Sequence, residues 1–233
     1  VAFDLEGMRA FNGNLDMVSL LHRLGVRQAL FAYNLNNDVG GGCHDEDTGL
    51  TEFGRKVVQE MNRVGMIVDC SHSAYRTTME AMELSTDPVV FSHSNPKAVW
   101  DHDRNITDEQ IRACAATGGV IGVTGLGIFL AENDSSTETM VEHICYLADL
   151  VGPDHVGIGL DHIFEDLDLP AELSARPDYW PPTQGYSNPN ITGAHPRQLY
   201  EICDQLIAHG FSDQETAGIL GGNFLRVAEL VWG

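Results

Sequence analysis

Six short apolar runs punctuate the chain: Val1–Leu5, Gln28–Tyr33, Met66–Cys70, Val89–Ser92, Gly119–Thr124 and His155–Leu160. Each is rich in Val, Ile, Leu or Phe and lacks strict alternation of polar and apolar positions, which suits strands buried on both faces. Longer amphipathic stretches separate them, so the pattern predicts βα units with parallel pairing, an α/β fold. In Thr51–Val64, the residues Phe53, Val57, Val58, Met61 and Val64 recur at helical spacing. Thr51 stands as its N-cap and Gly65 as its stop. Thr107–Ala116 opens with a threonine cap and acids in the first turn. Thr137–Val151, Pro196–Gly210, Ser212–Leu220 and Asn223–Trp232 also read as helices. Phe164–Ala194 breaks the rhythm: it is rich in proline, and its Tyr179, Trp180 and Tyr186 predict an ordered loop packed over other structure. It follows a strand end, where barrel enzymes carry their active-site loops.

With 233 residues, 43% of them hydrophobic, the chain can build one large core, and the expectation is a single domain over residues 1–233. No apolar run reaches the roughly 18 residues that cross a bilayer, and the first residues carry no basic segment of the signal-peptide kind. Five scattered cysteines without a CxxC point to a reducing compartment, with most thiols packed as small hydrophobes. The formal charge is −21, from 34 acidic and 13 basic residues, and the lysines are Lys56 and Lys97 alone. Such a surface repels phosphate backbones and argues against a nucleic-acid partner. It fits either an ordinary solvated surface or adaptation to high salt.

The informative polar residues fall where the apolar runs end. Glu6 follows the first, Tyr33-Asn34 close the second, Ser71-His72 follow the third, His93 ends the fourth and Asp161 follows the last. In a parallel barrel these ends converge on one face. Neutral imidazoles with carboxylates are the ligand set of zinc or a similar divalent ion. Glu6, His72 and His93 could hold one ion and share part of a second, and Asp161 could take a proton from an activated water. His22, His143 and His209 lie in helical stretches and read as surface or packing residues, and His44 as part of a solvated loop. His155 begins a strand, at the opposite end from the chemistry, and His162 points away from Asp161 across the backbone. His102, two residues before Arg104, is assigned no role. There is no GxSxG, Cys70-Ser71-His72 alternate faces and make no triad, and GVTGLG does not match a dinucleotide loop.

The stretches GLTEFGRKVVQEMNRVGMIVDCSH, PVVFSHSNPKAVW, DRNITDEQIR, HVGIGLD and GGNFLRVAELVW span nearly the whole chain. In them, above all in DxSH paired with FSHS and a following RN, the sequence resembles the membrane dipeptidase (renal dipeptidase) family of amidohydrolase-like barrels. The ending around Asp161, with PDYWPP and GGNFLRVAELVW, resembles a bacterial branch. The resemblance implies a (β/α)8 TIM-type barrel, two divalent ions, expected to be zinc, and hydrolysis of small dipeptides by a metal-activated water. By position it implies Glu6 as the bridging carboxylate, His72 and His93 as metal ligands, Arg104 as the binder of the substrate carboxylate and Asp161 as the acid that handles the water's proton. Tyr33 stands where animal members carry a substrate-contacting histidine. The family's first strand ends in an HxD pair that completes one metal position, and no HxD occurs at the start here. Counting from the strand that ends in Glu6, six strands are present. The barrel's first two strands, and one metal position, are therefore expected from chain upstream of Val1 or from a separate or exchanged segment. A homodimer and a cytoplasmic, bacterial setting are further expectations. The alternatives are another metal-dependent amidohydrolase, such as an amidase or lactonase, and a non-catalytic accessory protein.

Overall fold

A computed structural model describes residues 2–163 and 169–233, and it is an α/β structure with parallel sheets. All six expected strands form: β1 (Phe3–Glu6), β2 (Val26–Leu30), β3 (Ile67–Asp69), β4 (Val89–Val90), β5 (Ile121–Val123) and β6 (Val156–Ile158). The chain comprises two compact units, one of residues 1–91, 113–119 and 225–233, the other of residues 92–112 and 120–224.

In the first unit, β1 to β4 pair in sequence order, all parallel, with Leu5 opposite Ala29, Ala29 opposite Val68 and Val68 opposite Val89. β3 and β4 are buried along their whole length, Asp69 at the end of β3 included. β2 lies two residues earlier than expected and stops at Leu30. Phe31 and Ala32 are fully buried, but the Phe31 carbonyl accepts from Met8 N–H (3.1 Å) and from Asn37 Nδ2 (2.7 Å) where the chain turns off the sheet. Burial continued the apolar run after the strand had ended. Helix α1 is Asp16–Arg23, α2 Glu52–Val64 and α3 Tyr75–Leu84. In α2 the Thr51 hydroxyl accepts from Gly54 N–H at 2.9 Å and Gly65 takes φ +77°, both ends as read from the sequence. α3 was hidden because its buried face includes Thr77 and Thr78 beside Ala81 and Met82, so no apolar stripe shows. Phe11, Phe31, Phe91, Met61 and Met66 are fully buried. Each such side chain contributes about 1.5–3 kcal/mol.

In the second unit, β5 and β6 pair in parallel, with Ile121 opposite Val156 and Val123 opposite Ile158. Helix α4 spans Asp108–Ala116, with residues 108–112 in this unit and 113–116 in the first, and α5 (Gly127–Leu130) and α6 (Thr137–Val151) lie within this unit. A short helix α7 covers Leu169–Ala175. The expected helix at Pro196–Gly210 begins as a 3-10 turn and continues as α8 (Leu199–Ala208). α9 (Asp213–Ala217) is capped by Ser212, and after a wide turn through Gly221 comes α10 (Asn223–Trp232), whose residues from 225 on belong to the first unit. The proline-rich segment from Leu169 onward packs against other structure. Leu173 and Tyr186 are buried with Ile128 and Phe129, and Trp180 packs against them. The part of that segment at 164–168 lies outside the described residues. Among the described residues no helix is long and apolar enough to cross a membrane.

Candidate active site

Four of the singled-out residues stand at one offset. Tyr33, His72, His93 and Asp161 each lie three residues beyond the last residue of β2, β3, β4 and β6, and Glu6 is the last residue of β1. The intervening residues turn the backbone out of the sheet so that a polar side chain can leave its end. His72 takes φ +63°, Asn34 φ +62° and Asp161 φ +56°. Such left-handed conformations cost a non-glycine residue about 1–3 kcal/mol and persist where the surroundings enforce them.

At His72 the enforcing contacts are visible. The Asp69 carboxylate is fully buried and accepts the Ser71 N–H at 2.9 Å, making a side-chain turn directly after β3. The Cys43 N–H donates to the His72 carbonyl at 2.9 Å. Nδ1 of His72 lies 2.6 Å from Oδ1 of Asn34, and that oxygen also lies 3.5 Å from the Cys43 thiol, its second donor. An amide oxygen can only accept, so Nδ1 carries the proton and the electron pair that a ligand bond needs is on Nε2. The Tyr33 ring stacks on the imidazole at 4.1 Å and 23°. Asn34 is fully buried and held from behind by Gly42, where a Cβ would come within 2.2 Å of the Asn34 carbonyl. The sequence marked Asn34 as a strand-end residue and gave it no function.

His93 has a comparable partner. Its Nδ1 lies 2.8 Å from Ser92 Oγ. Gly159 lets this segment approach: a Cβ there would stand 1.9 Å from the Ser92 carbonyl and 3.2 Å from the His93 Cβ. His93 and His72 are each 6% exposed, whereas Glu6 is exposed. Glu6, His72 and His93 form a candidate metal site: each offers one ligand atom, and these atoms lie within 4.8 Å of one another. One carboxylate and two imidazoles are a fitting donor set for a first-row divalent ion.

Arg104 sits in the loop before α4 and is 3% exposed. Its guanidinium lies over the Phe129 ring, 5.2 Å from the centroid, and Nη2 donates to the His93 carbonyl at a long 3.4 Å. Its Nε meets no acceptor. A buried guanidinium held by a ring face and one weak hydrogen bond retains donors for an anion. Asp161 is exposed beyond β6. His162 stacks edge-on against His195 at 5.0 Å. His143, read from the sequence as a surface or packing residue, is fully buried, and its Nε2 donates to the Leu130 carbonyl at 2.8 Å. Burial lowers its pKa against the opposing pull of that carbonyl and of Glu142. Cys70 and Cys114 are buried, and burial pushes both thiols up and makes them inert.

Comparison with known proteins places these features in a family. The profile described as membrane dipeptidase (peptidase family M19) matches residues 1–174. An uncharacterized dipeptidase of Schizosaccharomyces pombe is 32% identical over 96% of this chain, which spans only 51% of that relative. A Klebsiella pneumoniae protein from the pqqA 5' region is 30% identical over 98% of this chain and 80% of its own length. Among solved structures, an amidohydrolase from Pseudomonas aeruginosa superposes with a TM-score of 0.88 at 31% identity, covering 99% of this chain and 72% of that one. A Rhodobacter sphaeroides metallopeptidase, solved with a phosphinate mimic of L-Ala-D-Ala, gives 0.79 at 25% identity, covering 99% of this chain and 63% of that one. The chain belongs to the membrane dipeptidase family, peptidase family M19.

Proposed function

We propose that the protein is a metal-dependent dipeptidase that cleaves the peptide bond of small dipeptides, with zinc as its ion. The observation that carries this reading is the gathering of Glu6, His72 and His93 donor atoms within 4.8 Å in a chain of this family. A divalent ion bound there supplies Lewis acidity to the scissile carbonyl and lowers the pKa of a nearby water. Asp161 takes the proton of the attacking water and delivers it to the amine nitrogen as the C–N bond breaks. Arg104 pairs with the free carboxylate of the substrate, which selects dipeptides over internal peptide bonds. Its burial and the Nε without an acceptor support that role. The Tyr33 ring, stacked on His72, is placed in this reading as a substrate contact.

The full catalytic unit in this reading is a (β/α)8 barrel. Two further strands would precede β1, and an HxD pair on them, with Glu6, would hold a second ion. The resemblance to the relatives named above supports it, as does the position of β1 at the edge of its sheet. Asp161→Asn tests the chemistry. Turnover of a dipeptide is expected to fall about 10²–10⁴-fold with metal content unchanged. Wild-type turnover in the metal-loaded variant would remove Asp161 from the mechanism.

A further inference from the structure

His102 is 7% exposed and has both ring nitrogens engaged. Nδ1 lies 3.0 Å from the backbone nitrogen of Arg104, and Nε2 lies 2.8 Å from the Gln184 carbonyl oxygen. A backbone N–H can only donate and a carbonyl can only accept. The neutral ring protonated on Nε2 is therefore the one form that satisfies both. The ring also packs against Phe129, at 4.8 Å, and Tyr186, at 6.2 Å, and Phe129 is the ring that carries the Arg104 guanidinium. A second tie runs beside it, from Asp103 N–H to Gln184 Oε1 at 3.4 Å. His102 thus joins two things the sequence keeps 80 residues apart (roughly, by chain position): the buried arginine and the proline-rich segment.

We propose that His102 is a positioning residue for substrate recognition: it clips the Gln184–Tyr186 turn to the Arg104 backbone, so that the grip of Arg104 on a free carboxylate depends on that turn being docked. The inference rests on the carboxylate-binding role of Arg104 proposed above. Burial, with the Arg104 and Lys97 charges, lowers the pKa of His102, while the Gln184 carbonyl and Asp103 pull the other way. Lys97, Asp101, Asp103 and Arg104 are the charged groups of its own loop, and Tyr186 is the titratable ring of the segment packed on it. Protonating Nδ1 would remove the acceptor for Arg104 N–H and so release the Arg104 backbone from the clip. The grip should therefore weaken as pH falls.

The test compares kcat and KM for a dipeptide and for its C-terminal amide, from pH 5 to 8 (roughly the histidine range), in the metal-loaded protein. Wild type is set beside Arg104→Ala, His102→Phe, His102→Gln and His102→Asn. His102→Phe keeps the ring packing and loses both hydrogen bonds. Its KM for the free acid is expected to rise about tenfold or more, with a smaller change in kcat, and to lose its acid-side increase. His102→Gln, whose amide nitrogen can replace Nε2, and His102→Asn, whose amide oxygen can replace Nδ1, should each recover part of the KM. Suppose a folded His102→Phe keeps wild-type discrimination and pH profile while Arg104→Ala loses discrimination. The clip is then wrong and the carboxylate role stands. If Arg104→Ala also keeps discrimination, the carboxylate role itself fails. Should His102→Phe not fold, wild-type KM and pH profile in both amide variants would overturn the proposal.

Discussion

At the scale of single residues, the site depends on side chains that touch a ligand and on side chains that aim it. Asn34 belongs to the second kind. Its φ of +62° means that a test by alanine would mix backbone strain with loss of the hydrogen bond to His72. Glycine tolerates that φ, so Asn34→Gly removes the side-chain acceptor without that strain, and Asn34→Asp keeps an acceptor in place. Metal affinity, measured by competition with a chelator, should drop about 10–100-fold in Asn34→Gly and much less in Asn34→Asp. Equal affinities in all three proteins would show that Asn34 does not aim His72. Chemically loaded residues at strand ends were readable because carboxylates and imidazoles stand out after apolar runs. Asn34 and Ser92 were not, since an amide and a hydroxyl are common in any loop. Their place in the candidate site appears only when Oδ1 and Oγ are found 2.6 and 2.8 Å from nitrogens of His72 and His93.

Elements deliver those residues through turns that leave little spare room. Gly159 follows β6 directly and has the Ser92 carbonyl 1.9 Å from where a Cβ would sit. Gly159→Ala should therefore cost about 1–3 kcal/mol of stability by forcing the β6 end away from the His93 segment. Thermal unfolding checks this, and an unchanged midpoint would mean that the approach relaxes freely. The strands and the long helices α2 and α6 were legible because packing and periodicity agree in them. The end of β2 was misplaced because burial outlasts hydrogen bonding at Phe31 and Ala32, and composition reports only burial. α3 was missed because threonines line its inner face, and Thr77 Oγ1 there accepts the Gly41 N–H at 2.9 Å instead of packing as a hydrocarbon. The described part of the proline-rich segment packs as expected because its aromatic residues join a cluster with Ile128 and Phe129.

Across the whole molecule, the charge of −21 is the dominant long-range force. At most 13 of the 34 acids can pair one-to-one with a basic residue, and ion pairs such as Lys56–Glu52 and Arg63–Glu60 lie at the surface, where solvent weakens them. Screening this repulsion should stabilise the fold. Raising salt from about 0.05 M to about 1 M, where the Debye length falls to about 3 Å, is expected to raise the unfolding temperature. A flat or falling salt response would show that the acidic surface is not under electrostatic stress. The central claim concerns the ion held by Glu6, His72 and His93. It is tested most directly by following hydrolysis of a free-carboxylate dipeptide by the intact protein before and after removal of divalent metal with a chelator, and again after zinc is restored. Hydrolysis that disappears with the metal and returns with zinc is the predicted result; hydrolysis unaffected by complete metal removal, or absent from fully loaded protein, would contradict it.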